Sequence, residues 1–361
     1  MFEVLVGWIL TAVISLCVTP LIKKVAFKIG AVDIPNKRRV NTKIMPTIGG
    51  LGIFITTFIA LFFIQPIENS TIIPIFLGAS AVIITGLIDD IKEISPLMKI
   101  IGLTIAALII YFSGMRIEMI TIPFIGQLSM GVLSLPVTLI WILAITNAIN
   151  LIDGLDGLAT GVSIIALVTM GIIGYFFLNI ENVVITIIIF TIVSAAIGFL
   201  PYNFFPASIF LGDTGALFLG FMIAIMSLQG LKNVTFVTLI IPIVILGIPI
   251  TDTIYAMLRR KLNNMPISSA DKHHMHHRLM SLGLTHRQTV LAIYCIALIF
   301  SIISLLYPLS SVLGSVLLTV SLLFGIELFV ELIGLVGANH QPMINQIKRI
   351  SKKINRKNKN R

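Results

Sequence analysis

Long, almost unbroken stretches of apolar residues, separated by short polar segments, set the pattern of this chain as far as residue 334. The runs fall at 2–22, 48–66, 71–88, 97–113, 132–150, 159–178, 183–200, 215–229, 234–257, 289–307 and 311–334. Most are roughly 17 to 25 residues long, enough for a helix to cross about 30 Å of hydrocarbon. The pattern predicts an all-α fold, a polytopic membrane helical bundle of about eleven transmembrane helices. Residues 1–335 read as one integral membrane domain and 336–361 as a basic, disordered tail suited to anionic lipid head groups. The first run, Leu5 to Ile22, lacks a small-residue cleavage site and is expected to be a retained span. No period of 20 to 50 residues recurs, so one integrated bundle is expected rather than an array. Between Arg116 and Gln127 apolar and polar positions alternate, which predicts a small external hairpin.

Composition agrees: 57% of the 361 residues are hydrophobic and 11% charged, against about 25% charged in ordinary soluble domains. The mean hydropathy of +1.06 excludes a soluble core. Cys17 and Cys295 both lie inside apolar runs, so neither a disulfide framework nor a thiolate metal site is indicated. A net charge of +10 would suggest nucleic acid in a soluble protein, but its placement argues otherwise. With eleven spans, every Lys and Arg except Arg116 and Lys232 falls on one side of the membrane. The positive-inside rule makes that side cytosolic, with the N-terminus outside and the C-terminus inside.

Dense polar clusters sit at the cytosolic ends of the spans. The third span ends in Asp89-Asp90 with Glu93 three residues on. Adjacent carboxylates at a membrane edge are costly and repel, so a cation is expected near them. They could hold Mg²⁺, steer a proton or position a phosphate, or be no more than a solvated helix end. In Asn147-Ala-Ile-Asn150-Leu-Ile-Asp153-Gly-Leu-Asp156-Gly the polar residues step by three, a helical stripe of oxygen donors suited to a hard cation. Gly154 and Gly157 let the backbone open near a ligand.

A breaker-rich loop carries Asn203, Phe204, Phe205, Phe210 and Gly212-Asp213-Thr214-Gly215. Asp213 could be a simple helix N-cap, and the phenylalanines either interfacial anchors or a platform for a base. A further loop holds His273-His274-Met275-His276-His277-Arg278. Positions 273, 276 and 277 would place three imidazoles on one helical face, as zinc needs, but only Asp271 stands by to complete such a set. Arg278 beside imidazoles suits phosphate or sugar hydroxyls equally. The first cytosolic loop adds Asp33 and Asn36, and with them Lys37, Arg38, Arg39 and Lys43, basic residues that read as topology signals and also supply counter-charge for an anionic substrate. No Gly-Lys dipeptide occurs, so a Walker A loop is excluded.

Taken in order, Asp33-x-Pro-Asn36, Pro46-Thr-Ile-Gly49-Gly50, Asp89-Asp90-x-x-Glu93, Asn147-x-x-Asn150-x-x-Asp153-Gly-x-Asp156-Gly-Leu, Phe210-x-Gly-Asp213-Thr-Gly and His273-His-x-His-His-Arg278 resemble the polyprenyl-phosphate N-acetylhexosamine-1-phosphate transferase family over residues 20 to 290. The resemblance implies an enzyme that uses a UDP-sugar and Mg²⁺, with Mn²⁺ as an alternate ion, to load undecaprenyl phosphate and release UMP. The His-His-x-His-His-Arg loop is similar to the branch that transfers N-acetylglucosamine 1-phosphate and starts teichoic acid, O-antigen or related glycans. The muramoyl-pentapeptide branch usually carries Lys where Glu93 stands, and relatives commonly carry His where Asn41 stands.

The family pattern further implies Asp213 and Asn150 as metal ligands, and Asp89, Asp90 and Asp153 as catalytic acids near the attacking phosphate. It implies Asp156, Asn203 and Phe210 around uridine, Lys43 and Asn147 as further substrate contacts, and His273, His274, His276, His277 and Arg278 around the sugar. Membrane lipids are expected neighbours, nucleic acid is not, and a homodimer is compatible with the pattern. A transporter would be the competing class, but its acids would lie near the midplane between repeats rather than at one face.

Overall fold

The apolar runs form thirteen α-helices in a computed structural model, which describes the chain except for Met1 and residues 35–42, 123–125, 178–182, 230–235, 263, 266–273, 336–341, 344 and 347–361. In chain order they are α1 (Phe2–Ile29), α2 (Gly49–Phe63), α3 (Asn69–Lys92), α4 (Pro96–Phe112), α5 (Ser134–Ile152), α6 (Leu158–Phe177) and α7 (Val183–Asn203). There follow α8 (Gly212–Gln229), α9 (Phe236–Ile245), α10 (Gly247–Leu262), α11 (Met275–Ser281), α12 (His286–Leu306) and α13 (Val312–Ile333). Among the described residues seven helices are long and apolar enough to cross a membrane, and α2, α4 and α8 are shorter apolar helices. The protein is therefore an all-α, multi-pass membrane protein.

α8 is the hub. Ala216, Leu217, Phe218, Leu219, Phe221, Met222, Ile223, Ala224 and Ile225 on it are wholly buried, as expected of a helix apolar on every face. It packs on α2, α3, α5 and α6. The approach to α2 is close: a methyl group at Gly50 would overlap the Gly215 backbone. At the margin, α1 and α13 bury little of their apolar surface against the protein and present Leu10, Val13, Leu317 and Phe324 outward, the face that lipid would cover.

The expected single span at 234–257 is two helices, α9 and α10. Pro249 explains the break: it has no N–H for the carbonyl of Ile245, and its ring crowds that carbonyl, so α9 stops there. The expected hairpin forms from β3 (Met119–Ile122) and β4 (Gly126–Ser129), with Met119 opposite Ser129 and Ile122 opposite Gly126. β1 (Val32–Asp33) pairs with β2 (Met45–Pro46) at the other end of the bundle. At that end α3, α5, α7 and α10 finish and α4, α6, α8 and α12 begin, so the polar clusters converge there from five separate connections.

Candidate active site

The N-terminus of α8 is built by its neighbours. Gly212 takes φ +73° and passes so close to the Thr47 carbonyl that a side chain would collide with it, a turn only glycine makes readily. The Gly49 and Gly50 amides donate to the carbonyls of Phe210 and Leu211, each at 3.0 Å, and the Phe210 amide to that of Pro46 at 2.8 Å. These bonds tie the two glycine-rich loops together. Asp90 then caps the helix from α3: its carboxylate accepts from the Asp213 and Thr214 amides, each at 3.0 Å, and from the Thr214 hydroxyl at 2.5 Å. One of the paired acids is thus bound into the scaffold while still bordering the cavity.

Its neighbour Asp89 is buried, accepts the Ile94 amide at 2.9 Å and pairs with Lys99 at 2.5 Å. Lys99, one turn into α4, also lies 3.4 Å from Asp213. Asn150, at the end of α5, donates from its amide to the same Asp213 oxygen. The cation that adjacent carboxylates call for is therefore a lysine of the chain itself, and it joins Asp89 to Asp213. Glu93 terminates α3 in the left-handed region, outside the cavity lining.

After α5 the chain turns through Asp153 to Gly157. Desolvation, reinforced by the charges of Asp213, Asp90 and Asp156, pushes the Asp153 carboxyl well above the ordinary carboxylate range. Asp156 accepts the Ala207 amide at 3.0 Å, while its own amide donates to Nε2 of His286 at 3.0 Å. Asn203 is buried and bound at both ends, accepting the Thr160 hydroxyl at 2.8 Å and donating to the Ile209 carbonyl at 3.2 Å. Its amide braces the loop that carries Phe205 and Phe210.

The histidine loop docks on α10. Asp252, buried and unmarked by any sequence motif, accepts the Met275 amide at 2.7 Å and meets His274 Nδ1 at 2.8 Å. α11 then turns His276 and His277 toward the cavity. Burial, with His277 adding to it, lowers the His276 pKa to about 3, so this ring is neutral. Arg278 points elsewhere: its Nε donates to the Ile333 carbonyl at 3.1 Å, at the end of α13.

The result is an open cavity of about 760 Å³, within the range of small-molecule sites. Asp90, Asp153, Asp156 and Asp213 border it together with Asn150 and Asn203. Asp33, Lys43, Phe205, Phe210, His276 and His277 are further expected side chains that reach it. Asp89 stands behind Lys99. Asn147 faces outward from α5, and neither it, His274 nor Arg278 is part of the lining. His273, Asn36 and Asn41 lie outside the described residues. Sequence reasoning passed over Lys99, which it treated as a topology signal, and also Asp252 and His286.

Among the described residues no three His, Cys, Asp or Glu side chains form a ready-made metal cage. The donor chemistry nevertheless fits Mg²⁺, an ion commonly held by one or two carboxylates plus substrate phosphates. Asp213 and Asn150, the residues expected to hold it, border the cavity side by side, with Asp90 and Asp153 on the same space.

Residues 72–231 match the model of a family described as Glycosyl transferase family 4. A probable undecaprenyl-phosphate N-acetylglucosaminyl 1-phosphate transferase of Bacillus subtilis (strain 168) is 41% identical over 355 residues, 98% of each chain. A decaprenyl-phosphate N-acetylglucosaminephosphotransferase of Mycobacterium tuberculosis (strain ATCC 25618 / H37Rv) is 33% identical over 316 residues, 78% of this chain and 77% of the relative. A phospho-N-acetylmuramoyl-pentapeptide-transferase of Borrelia turicatae (strain 91E135) is 29% identical over 299 residues, 74% of this chain and 83% of the relative. With a relative matched at 41% identity along almost its whole length, and with the carboxylate cavity falling largely within the matched segment, the chain belongs to glycosyl transferase family 4.

Proposed function

We propose that this protein transfers N-acetylglucosamine 1-phosphate from UDP-N-acetylglucosamine to undecaprenyl phosphate, giving undecaprenyl-diphosphate-N-acetylglucosamine and UMP. This would be the first membrane step of a cell-surface glycan of the teichoic acid kind. The observation that carries the reading is a cavity at the membrane edge, bordered by five aspartates and three histidines, in a chain matched along almost its whole length by an N-acetylglucosaminyl 1-phosphate transferase. The weaker identity to the muramoyl-pentapeptide enzyme favours N-acetylglucosamine over the larger sugar.

In the reaction an oxygen of the lipid phosphate attacks the β-phosphorus of the nucleotide sugar, and the bond from that phosphorus to the bridging oxygen breaks, with UMP leaving. Two polyanions must meet, so charge placement dominates the problem. Mg²⁺, or Mn²⁺ in its place, would be held by Asp213 and Asn150 and would neutralise diphosphate charge. Lys99 offsets Asp89 and Asp213 from behind. Lys43 offers positive charge at the cavity wall, and Asp153, whose pKa burial raises, would exchange a proton beside the reacting phosphates. Asp156 and Phe210 bound the nucleoside end, while His276, as a neutral ring, can donate to or accept from sugar hydroxyls.

The distribution of basic residues supports a plasma-membrane protein with this cavity facing the cytosol. Purified protein given Mg²⁺, polyprenyl phosphate and UDP-N-acetylglucosamine should release UMP, and omission of the lipid should stop it. Release with UDP-glucose alone, or none with any UDP-sugar, refutes the assignment. For orientation, Ser281→Cys in a chain lacking Cys17 and Cys295 should resist an impermeant thiol reagent in intact cells and react in inverted vesicles.

A further inference from the structure

Helix α12 holds the catalytic turn at two points. Its own start is fixed independently: Thr285 caps it, and Gln288 completes a reciprocal capping box with Thr285. His286, the first residue of the helix, therefore projects from a braced end. Its Nε2 accepts the Asp156 amide at 3.0 Å, and its ring lies 4.5 Å from that of Phe205, at an interplanar angle of 30°. Eight residues on, two turns up and about 80° round the helix, the Tyr294 hydroxyl donates to the Gly157 carbonyl at 2.5 Å. Helix α12 thus grips consecutive parts of the turn that presents Asp153 and Asp156. Asp156 is meanwhile tied across the cavity to the Ala207 amide at 3.0 Å.

An N–H can only donate, so Nε2 of His286 must be the unprotonated nitrogen, and the ring acts as an acceptor. We infer that His286 is a positioning residue for nucleotide-sugar binding: it fixes the Asp153–Gly157 turn through the Asp156 amide and backs the Phe205 ring at the cavity wall. Tyr294 assists at Gly157. The inference rests on the transferase reading above, and it assigns His286 no contact with the reacting phosphates. A turn held from three sides is a preformed cradle, so its loosening raises the substrate concentration needed for binding more than it slows the chemistry.

Two substitutions separate the ring from its acceptor. His286→Phe keeps a ring against Phe205 and removes the acceptor, whereas His286→Gln restores an acceptor oxygen close to the Nε2 position and removes the ring. The Phe variant should raise KM for UDP-N-acetylglucosamine about 10- to 100-fold and leave KM for polyprenyl phosphate within about twofold. The Gln variant should return KM for the nucleotide sugar to within about fivefold of wild type. Hydrogen exchange of the peptide containing Asp156 should accelerate in the Phe variant and stay slow in the Gln variant. Should the Phe variant not fold, Tyr294→Phe, which loses only a hydroxyl, should raise the same KM severalfold and speed exchange around Gly157.

The inference is overturned if His286→Phe keeps the wild-type KM and exchange, or if the Phe and Gln variants lose both substrates equally with equal falls in melting temperature. Failure of the wild type to release UMP would instead refute the transferase reading, and the exchange comparison would still decide the role of His286.

Discussion

Replacing Asp90 by Asn tests whether this acid holds α8 in place. The carboxylate accepts three hydrogen bonds, two at one oxygen, from the Thr214 amide and hydroxyl, and one at the other, from the Asp213 amide. An asparagine has one acceptor oxygen. Turned to keep both Thr214 bonds, it points its NH₂ at the Asp213 amide, donor against donor. A hydrogen bond to a charged acceptor is worth about 1.5–3 kcal/mol, so the loss comes to about 2–3 kcal/mol. That is about a 30- to 150-fold shift in the folded-to-unfolded ratio. Melting of the purified protein in detergent should show the fall directly.

A second signature has a definite sign. Desolvation is the main cause that raises the Asp153 pKa and the Asp90 charge a lesser one, so removal of that charge lets Asp153 ionise at somewhat lower pH. If transfer needs ionised Asp153, the acidic limb of the rate profile for UMP release moves to lower pH, and the remaining rate falls because Asp213 is displaced with the end of α8. Unchanged melting would refute the capping argument, and a limb displaced to higher pH would refute the electrostatic one.

Asp213→Asn should cut turnover at least about 100-fold at saturating Mg²⁺ with little change in melting, since the amide keeps the side-chain shape; near-normal UMP release would remove Asp213 from the metal site. His276 titrates near pH 3 in the fold against 6.5 in the unfolded chain, so the unfolded state binds the extra proton between these values. Stability should therefore rise with pH from about 3 to about 6.5 and level off above, and His276→Gln should flatten this slope in denaturant titrations. Arg278→Ala loses its bond to the Ile333 carbonyl and should cost about 1–2 kcal/mol of stability, raising the UDP-sugar KM only severalfold through a displaced α11. A hundredfold kinetic loss without a change in melting would put the guanidinium on substrate instead.

The bundle was legible because lipid imposes a length and a composition on each span, and because clusters such as Asp89-Asp90 and Gly212-Asp213 break that composition sharply. The alternation of spans also located the site, since it carried every cluster to one face. What the sequence hid were residues whose meaning comes from a partner far along the chain. Lys99 reads as an ordinary flanking lysine until α4 packs on α3 and brings it to Asp89. Asp252 is one acid in an apolar run until His274 meets it, and His286 lies outside the histidine cluster that drew notice. The reverse error has the same origin: Asn147 and Arg278 share motifs with residues of the cavity, but helix rotation turns the first outward and the end of α13 takes the second. The break before α10 was visible in Pro249, whose effect on the preceding carbonyl outweighs the continuous hydropathy of 234–257.

The short α9 has a consequence for how the protein is made. Ten residues of helix rise about 15 Å, half the hydrocarbon thickness, so α9 crosses only together with α10, which begins after the single residue Leu246 and is joined to it by bonds from the Leu246 amide to the Pro242 carbonyl and from the Ile250 amide to the Leu246 carbonyl, each at 3.0 Å. Its helical neighbours in the finished fold are α6, α10 and α12, and α12 starts about 40 residues downstream of its end. At typical synthesis rates that is a delay of about 2–8 s. During it the surface of α9 that α12 covers in the finished fold has only lipid or the insertion machinery against it, so the packing of this pair is set after most of the bundle has been made.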